Sequence, residues 1–180
     1  MEWERDEGFE YIWKSKAPLK VVAFSWKLLL DRIPTKRNLS RRNCLPPDVS
    51  TLCVLCGRAE ESVNHLFLHC DFAASVWANV MRWLDFSFIT PTNLFLHWEC
   101  WSNEGRKKKI RKGLWIIWHA TIWVIWQTRN HRIFRNEMRH VDDLMVDIIV
   151  LSWRWSMNRL NMKTCLHYEW NWNPQECLLR

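Results

Sequence analysis

Cys53-Val-Leu-Cys56, then eight residues to His65 and four more to Cys70, is the one stretch where residue type and spacing together imply definite chemistry. Two cysteines two residues apart form a tight knuckle that aims both sulfurs at one point, and a later His and Cys close a tetrahedron. That is the donor set of structural Zn²⁺, which accepts thiolate and imidazole and has no redox chemistry of its own. Four protein ligands leave no open position for water or substrate, so such a site holds structure rather than catalyses. On an α-helix His65 and His69 face the same way, whereas His65 and Cys70, five apart, diverge. Cys70 therefore reaches the site only where the helix ends near Leu68, with Asp71 capping the next one. His69 and Cys44 stand as substitute ligands within the spacings that zinc tolerates. A redox role for the Cys-x-x-Cys is disfavoured, because no strand–helix–strand pattern surrounds it.

Helices must position this loop. Pro18 can open one whose Val21, Val22, Phe24, Trp26, Leu28 and Leu29 cover nearly every side, which predicts a central, buried helix. Pro34 stops it, and Thr35 caps a short helix from Lys36 to Arg42 with Leu39 inward. Glu60 to Leu68 is expected to carry His65 on a helix, and Phe72, Val76, Val80, Trp83 and Leu84 define the next. After a Thr90-Pro91-Thr92 loop and a short apolar segment through Trp101, Asn103 to Gly105 reads as a linker. Trp115, Trp118, Ile122, Ile125, Trp126 and Ile133 then mark one long amphipathic helix to about Glu137, with Arg129, Arg132, Arg135 and Arg139 on its outer side. Asp142 and Asp143 open a final helix with Leu144, Ile148, Leu151 and Trp155 inward. Residues 1 to 16, with Trp3, Phe9, Tyr11 and Trp13, read as an irregular or short helical lead-in, and the tail after Lys163 shows no period. The fold class is mainly α: a small zinc-stabilised helical domain over 1–102, its core about 13–85, followed by long Trp-rich helices over 103–180.

The fifteen tryptophans fall at helical periods, which points to packing between helices rather than to platforms for base stacking. A net charge of +7, from 26 basic and 19 acidic side chains, suits an acidic partner such as RNA or DNA. Two stretches would meet the phosphates: Lys36, Arg37, Arg41 and Arg42, then Lys107, Lys108, Lys109, Arg111 and Lys112 within the run from Arg106 to Lys112. The second run opposes the dipole of the helix it starts, so local stability does not explain it; a solvated face is the plainer account of the first stretch, and for the second a solvated run and a footprint for nucleic acid or an acidic surface stand level. Seven cysteines and an acidic N-terminus without the order of a secretory signal predict an intracellular, reducing compartment, the nucleus included, where cysteines take metal in preference to disulfides. Leu114 to Trp126 falls short of the ~20 residues of a membrane span, so a buried helix is expected and no membrane partner, a surface-lying helix being the lesser alternative. A polymerase needs clustered carboxylates for two Mg²⁺ ions. The adjacent pair Asp142-Asp143 reads as a helix start, no serine or cysteine has an evident base, and no catalytic residues are assigned.

Taken together, Trp13-Lys-Ser-Lys-Ala-Pro18, Lys20-Val21, Phe24-Ser-Trp26, Arg32-Ile-Pro-Thr35, Asn38-Leu39, Arg41-Arg42, the Cys-x-x-Cys, Glu61-Ser62, His65-Leu-Phe67, Cys70 and Val76-Trp77 resemble the zinc-binding domain of plant non-LTR retrotransposon reverse transcriptases, over about 13–85. Leu114-Trp-x-x-Trp118, Ile122-Trp-x-x-Trp126, Arg129-Asn130 and Ile133-Phe134 look like the helical region that commonly follows. The resemblance implies the metal ligands Cys53, Cys56, His65 and Cys70 and a place between a polymerase and, often, a ribonuclease H domain of a polyprotein. Neighbouring retroelement domains are then implied partners. This chain departs from that context, beginning almost on the domain's first aromatic residues and ending before a ribonuclease H region could fit, and so looks like a freestanding or truncated descendant of such an element; the expected function is a non-catalytic zinc-binding module assisting nucleic-acid binding or, alternatively, a structural or protein-interaction module.

Overall fold

The computed structural model describes residues 3–105 and 107–180, with side chains from Phe9 onward. Arg106 and the side chain of Trp3 lie outside the described residues. The chain is mainly α: α1 (Trp3–Lys14), α2 (Leu19–Leu29), α3 (Lys36–Arg41), a π-helical turn (His65–His69), α4 (Asp71–Trp83), α5 (Leu94–Asn103), α6 (Lys108–Arg135), α7 (Val141–Arg159), α8 (His167–Trp172) and α9 (Pro174–Leu179). Among the described residues the only β pairing is a single antiparallel bridge, Leu52 to Glu60.

The central helix is α6. Every residue from Gly113 to Ile122 is buried, and α2, α4, α5, α7 and α9 all pack on it. The run Leu114 to Trp126 is buried, as expected, and it leaves the first half of α6 without the amphipathic face expected of the whole helix: thirteen near-continuous apolar positions have no polar stripe to offer water, and a helix apolar all round must be covered all round. Helix α2, expected to be central, buries Val21, Val22, Ser25 and Leu28 while Leu19 stands exposed. One hydrophobic cluster runs from Ile12 to Leu178, so helices from both halves of the chain share it.

Tryptophans join these helices by more than area. Trp101 Nε1 donates to Leu114 O at 2.7 Å and Trp115 Nε1 to Ser102 O at 3.0 Å, a reciprocal clamp between α5 and α6. Trp118 Nε1 donates to His97 Nδ1, Trp170 Nε1 to Ser152 Oγ and Trp83 Nε1 to Asn171 O. A buried indole needs such a partner, because an unpaired N–H costs its desolvation.

Several elements differ from expectation. The lead-in is a full helix, α1. The tail after Lys163 forms α8 and α9; helices of six residues carry too little pattern to read. A disulfide, Cys165 to Cys177 with the Cα atoms 5.8 Å apart, holds that tail, where the reading of a reducing compartment expected no disulfide. In α3 the buried residue is Asn38 and not Leu39: its amide donates to Asp31 O, Asp31 Oδ1 and Ile33 O, tying the turn before the helix. In α7 the inner face is Leu144, Ile148, Ser152 and Ser156, with Leu151 and Trp155 half-buried. Arg129, expected on the outside of α6, is buried. No helix among the described residues is long and apolar enough to cross a membrane.

Candidate metal centre

The knuckle is built by backbone bonds. Cys53 N–H donates to Ala59 O at 2.8 Å, Glu61 N–H to Thr51 O at 2.9 Å, and Gly57 N–H to Cys53 O at 2.7 Å. Gly57 sits at φ +67, a left-handed turn that glycine adopts without strain, and this reverses the chain directly after the second cysteine. Ser62 then starts the next turn: its hydroxyl accepts from His65 N–H at 3.1 Å, and its carbonyl from Leu66 N–H.

The divergence of His65 and Cys70 on an α-helix is resolved by the π turn. Cys70 N–H donates to His65 O at 2.7 Å, an i to i+5 bond. That wider turn brings residues five apart towards one side, and Cys70 leaves it extended at φ −67, ψ 130. Such single π turns are frequent at functional sites. Buried Leu66, Phe67 and Leu68 anchor it, and Trp77 Nε1 donates to Phe67 O at 2.8 Å. Cys70, not Asp71, occupies the N-cap position of α4, with Asp71 in the first turn.

The outcome is one cluster: ligand atoms of Cys53, Cys56, His65 and Cys70 all lie within 4.8 Å of one another. Cys53 and Cys70 Sγ are 4.0 Å apart, and Cys56 Sγ lies 3.2 Å from His65 Nε2. A tetrahedral zinc ion with bonds of about 2.3 Å to sulfur and about 2.0 Å to nitrogen spans roughly 3.8 Å between sulfurs and roughly 3.6 Å between sulfur and nitrogen. The donors therefore fit a thiolate-rich tetrahedral ion. His69 is exposed, its Nε2 3.0 Å from Thr92 O, and the Cys44 thiol, also exposed, bonds to Arg42 O; neither belongs to the cluster.

The electrostatics suit ligation. Burial, then the nearby His69, lowers the His65 pKa, which keeps its imidazole neutral. Cys70 is lowered first by its bond with the Cys53 thiol, aided by the N–H groups of Ala73 and Phe72 at the start of α4. The same bond and burial raise Cys53.

A second layer holds the knuckle to the rest of the molecule. Glu61, fully buried, accepts at Oε1 from Lys36 N–H at 3.0 Å and from Arg129 Nη2 at 2.7 Å and Nε at 3.2 Å. Arg129 also donates to Pro34 O and lies 4.8 Å over the Trp126 ring. One ion pair thus ties the metal loop, the start of α3 and α6. In the sequence Glu61 and Arg129 stand out only as residues of the family pattern; Arg129 follows the polar pair Gln127-Thr128, and nothing local marks it as pointing inward. The basic residues divide. Lys36 donates from Nζ to Leu52 O, Arg37 pairs with Glu60, Arg41 with Asp31, and Arg42 reaches Arg32 O. Lys107, Lys108 and Lys109 are exposed, while Arg111 and Lys112 are half-buried.

Fold and site define a class: a mainly α protein with a three-cysteine, one-histidine cluster that could hold a metal ion, in the first half of the chain. Residues 2–77 match the family described as zinc-binding in reverse transcriptase, so this segment is similar to the zinc-binding domains of reverse transcriptases. No curated protein and no solved structure matches the chain.

Proposed function

We propose that the protein is a non-catalytic module in which Cys53, Cys56, His65 and Cys70 hold one Zn²⁺, and that it assists binding of RNA or DNA. The observation that carries the reading is the closed tetrad. Four protein donors complete a tetrahedral ion, and three thiolates favour zinc among the common intracellular metals. When bound, the ion supplies folding free energy to a loop that has almost no strand or helix of its own. Ser62 seats the turn bearing His65, Trp77 closes the π turn, and Glu61 links the knuckle to Arg129.

Nucleic-acid binding draws support from the net charge of +7 and from exposed Lys107, Lys108 and Lys109, none of which forms an ion pair among the described residues. Lys36, Arg37, Arg41 and Arg42 already have partners within the protein and contribute less. The origin we infer is a plant non-LTR retrotransposon, with other domains of that element as neighbours. The compartment is intracellular and reducing, the nucleus included; both sulfurs of the disulfide are buried, which shields it from reductant. Anisotropy titrations with labelled single-stranded RNA and duplex DNA test the reading. Affinity should fall steeply between about 50 and about 200 mM salt, because each neutralised phosphate releases counterions. Absent or salt-independent binding overturns it.

A second reading, a protein-interaction module, is favoured by Phe134 and Met138, 77% and 81% exposed at the end of α6. Sedimentation of the purified chain tests it: self-association lost on Phe134→Ser supports it, and a monomer that is indifferent to the change does not.

A further inference from the structure

A cleft of about 330 Å³ gathers four cations from three separate stretches: Lys16 between α1 and α2, Lys109 and Lys112 in the first turns of α6, and Arg159 at the end of α7. Among the described residues its lining contains no carboxylate. None of the four forms an ion pair among the described residues, whereas Arg37, Arg41, Arg58, Arg129, Arg139 and Arg180 each have an acidic partner. Like charges gathered around a cavity repel, and an anion between them relieves that repulsion. Lys109 and Lys112 also sit where the dipole of α6 disfavours cations, so helix stability does not account for them.

The remaining wall is mostly apolar, from Leu160, Met162 and Leu178. Leu178 packs closely: its side chain rests on Gly113, where an added Cβ would stand 2.3 Å from Cδ1, and its neighbour Cys177 is bonded to Cys165. An apolar wall beside four cations suits a ligand with an anionic group at one end and a flat, weakly polar group at the other. The volume is that of small-ligand sites.

We propose that this cleft binds a nucleotide. Lys16, Lys109, Lys112 and Arg159 hold its phosphate, the wall of Leu160, Met162 and Leu178 receives its base, and Asn161 supplies a polar group beside it. The nucleotide is either one residue of a polynucleotide strand, in which case the inference rests on the nucleic-acid reading above, or a free nucleoside phosphate. The chemistry of recognition is the same in both.

The test uses the full, metal-loaded, disulfide-intact chain, with a short fluorescein-labelled oligothymidylate followed by anisotropy and adenosine triphosphate followed by calorimetry. The probe variants are Lys109→Gln/Lys112→Gln and Arg159→Gln. The control is Lys27→Gln/Lys163→Gln, which matches the double variant in charge but lies outside the cleft. Thermal melting verifies folding, which removal of two cations from the start of α6 should not impair. The double variant is expected to bind the strand about tenfold more weakly, with the salt slope reduced by roughly 0.7 for each phosphate that is no longer neutralised, and the control should bind as the parent does. If the strand binds and probe and control variants weaken equally, the cleft is not the site, although the nucleic-acid reading stands. If only the triphosphate binds, and the cleft variants abolish that binding, the inference holds for a free nucleotide and the nucleic-acid reading falls. If neither binds, both fall.

Discussion

Glu61 and Arg129 show how much depends on a single buried pair. Their side chains are 0% and 5% exposed, 2.7 Å apart, and they link a metal loop to the central helix 68 residues away. Removing one partner of such a pair leaves a buried charge uncompensated, at a cost of about 3 to 5 kcal/mol. Glu61→Gln should therefore lower the urea midpoint strongly, while Glu61→Gln/Arg129→Met should recover part of the loss. If the two single changes add without coupling in the double mutant, the pair does not link loop to helix. The cluster of Cys53, Cys56, His65 and Cys70 was legible in the sequence because type and spacing single these four out, with His69 and Cys44 as substitutes. The pair that supports them was not, since two residues so far apart in the chain carry no joint signal. Equally hidden was the π turn: periodicity assumes an α-helix, under which His65 and Cys70 diverge, and only the i to i+5 bond removes the conflict.

Among the helices, the apolar periods revealed where most of the longer ones lie but not which is central. Helix α6 takes that place because its run from Gly113 to Ile122 has no side for water. Gly113 is needed there by close approach rather than by turning: Leu178 of α9 occupies the space a Cβ would fill. Gly113→Ala gains up to about 1 kcal/mol in helix propensity but forces overpacking that costs about 1 to 3 kcal/mol. The expected outcome is a net loss of stability and faster reduction of the disulfide by dithiothreitol, as α9 lifts. Unchanged melting and reduction rates would mean that α9 does not pack on Gly113. Helices α8 and α9 were illegible in the sequence, because short helices are held by tertiary packing and a disulfide rather than by their own pattern.

The molecule as a whole buries two histidines, and this sets its response to acid. Burial pushes both His97 and His119 down to about 3. Each remains neutral in the fold while the unfolded chain takes up a proton near 6.5, so the unfolded state binds more protons between those values. Stability from this source is complete above about pH 6.5 and is lost as pH falls towards 3, by on the order of 1 kcal/mol per pH unit for each histidine. Urea midpoints at pH 7 and pH 5 should differ accordingly, and His119→Gln should flatten the difference; an equal acid response in parent and variant would contradict it. The most direct measurement of the whole account is metal content by elemental analysis of protein purified without added zinc, paired with melting in the presence and absence of a chelator. One zinc per chain, lost in Cys70→Ser but kept in His69→Gln, and a melting temperature that collapses with chelator are the predicted results. A folded chain with no zinc, or with stability indifferent to the chelator, would contradict it.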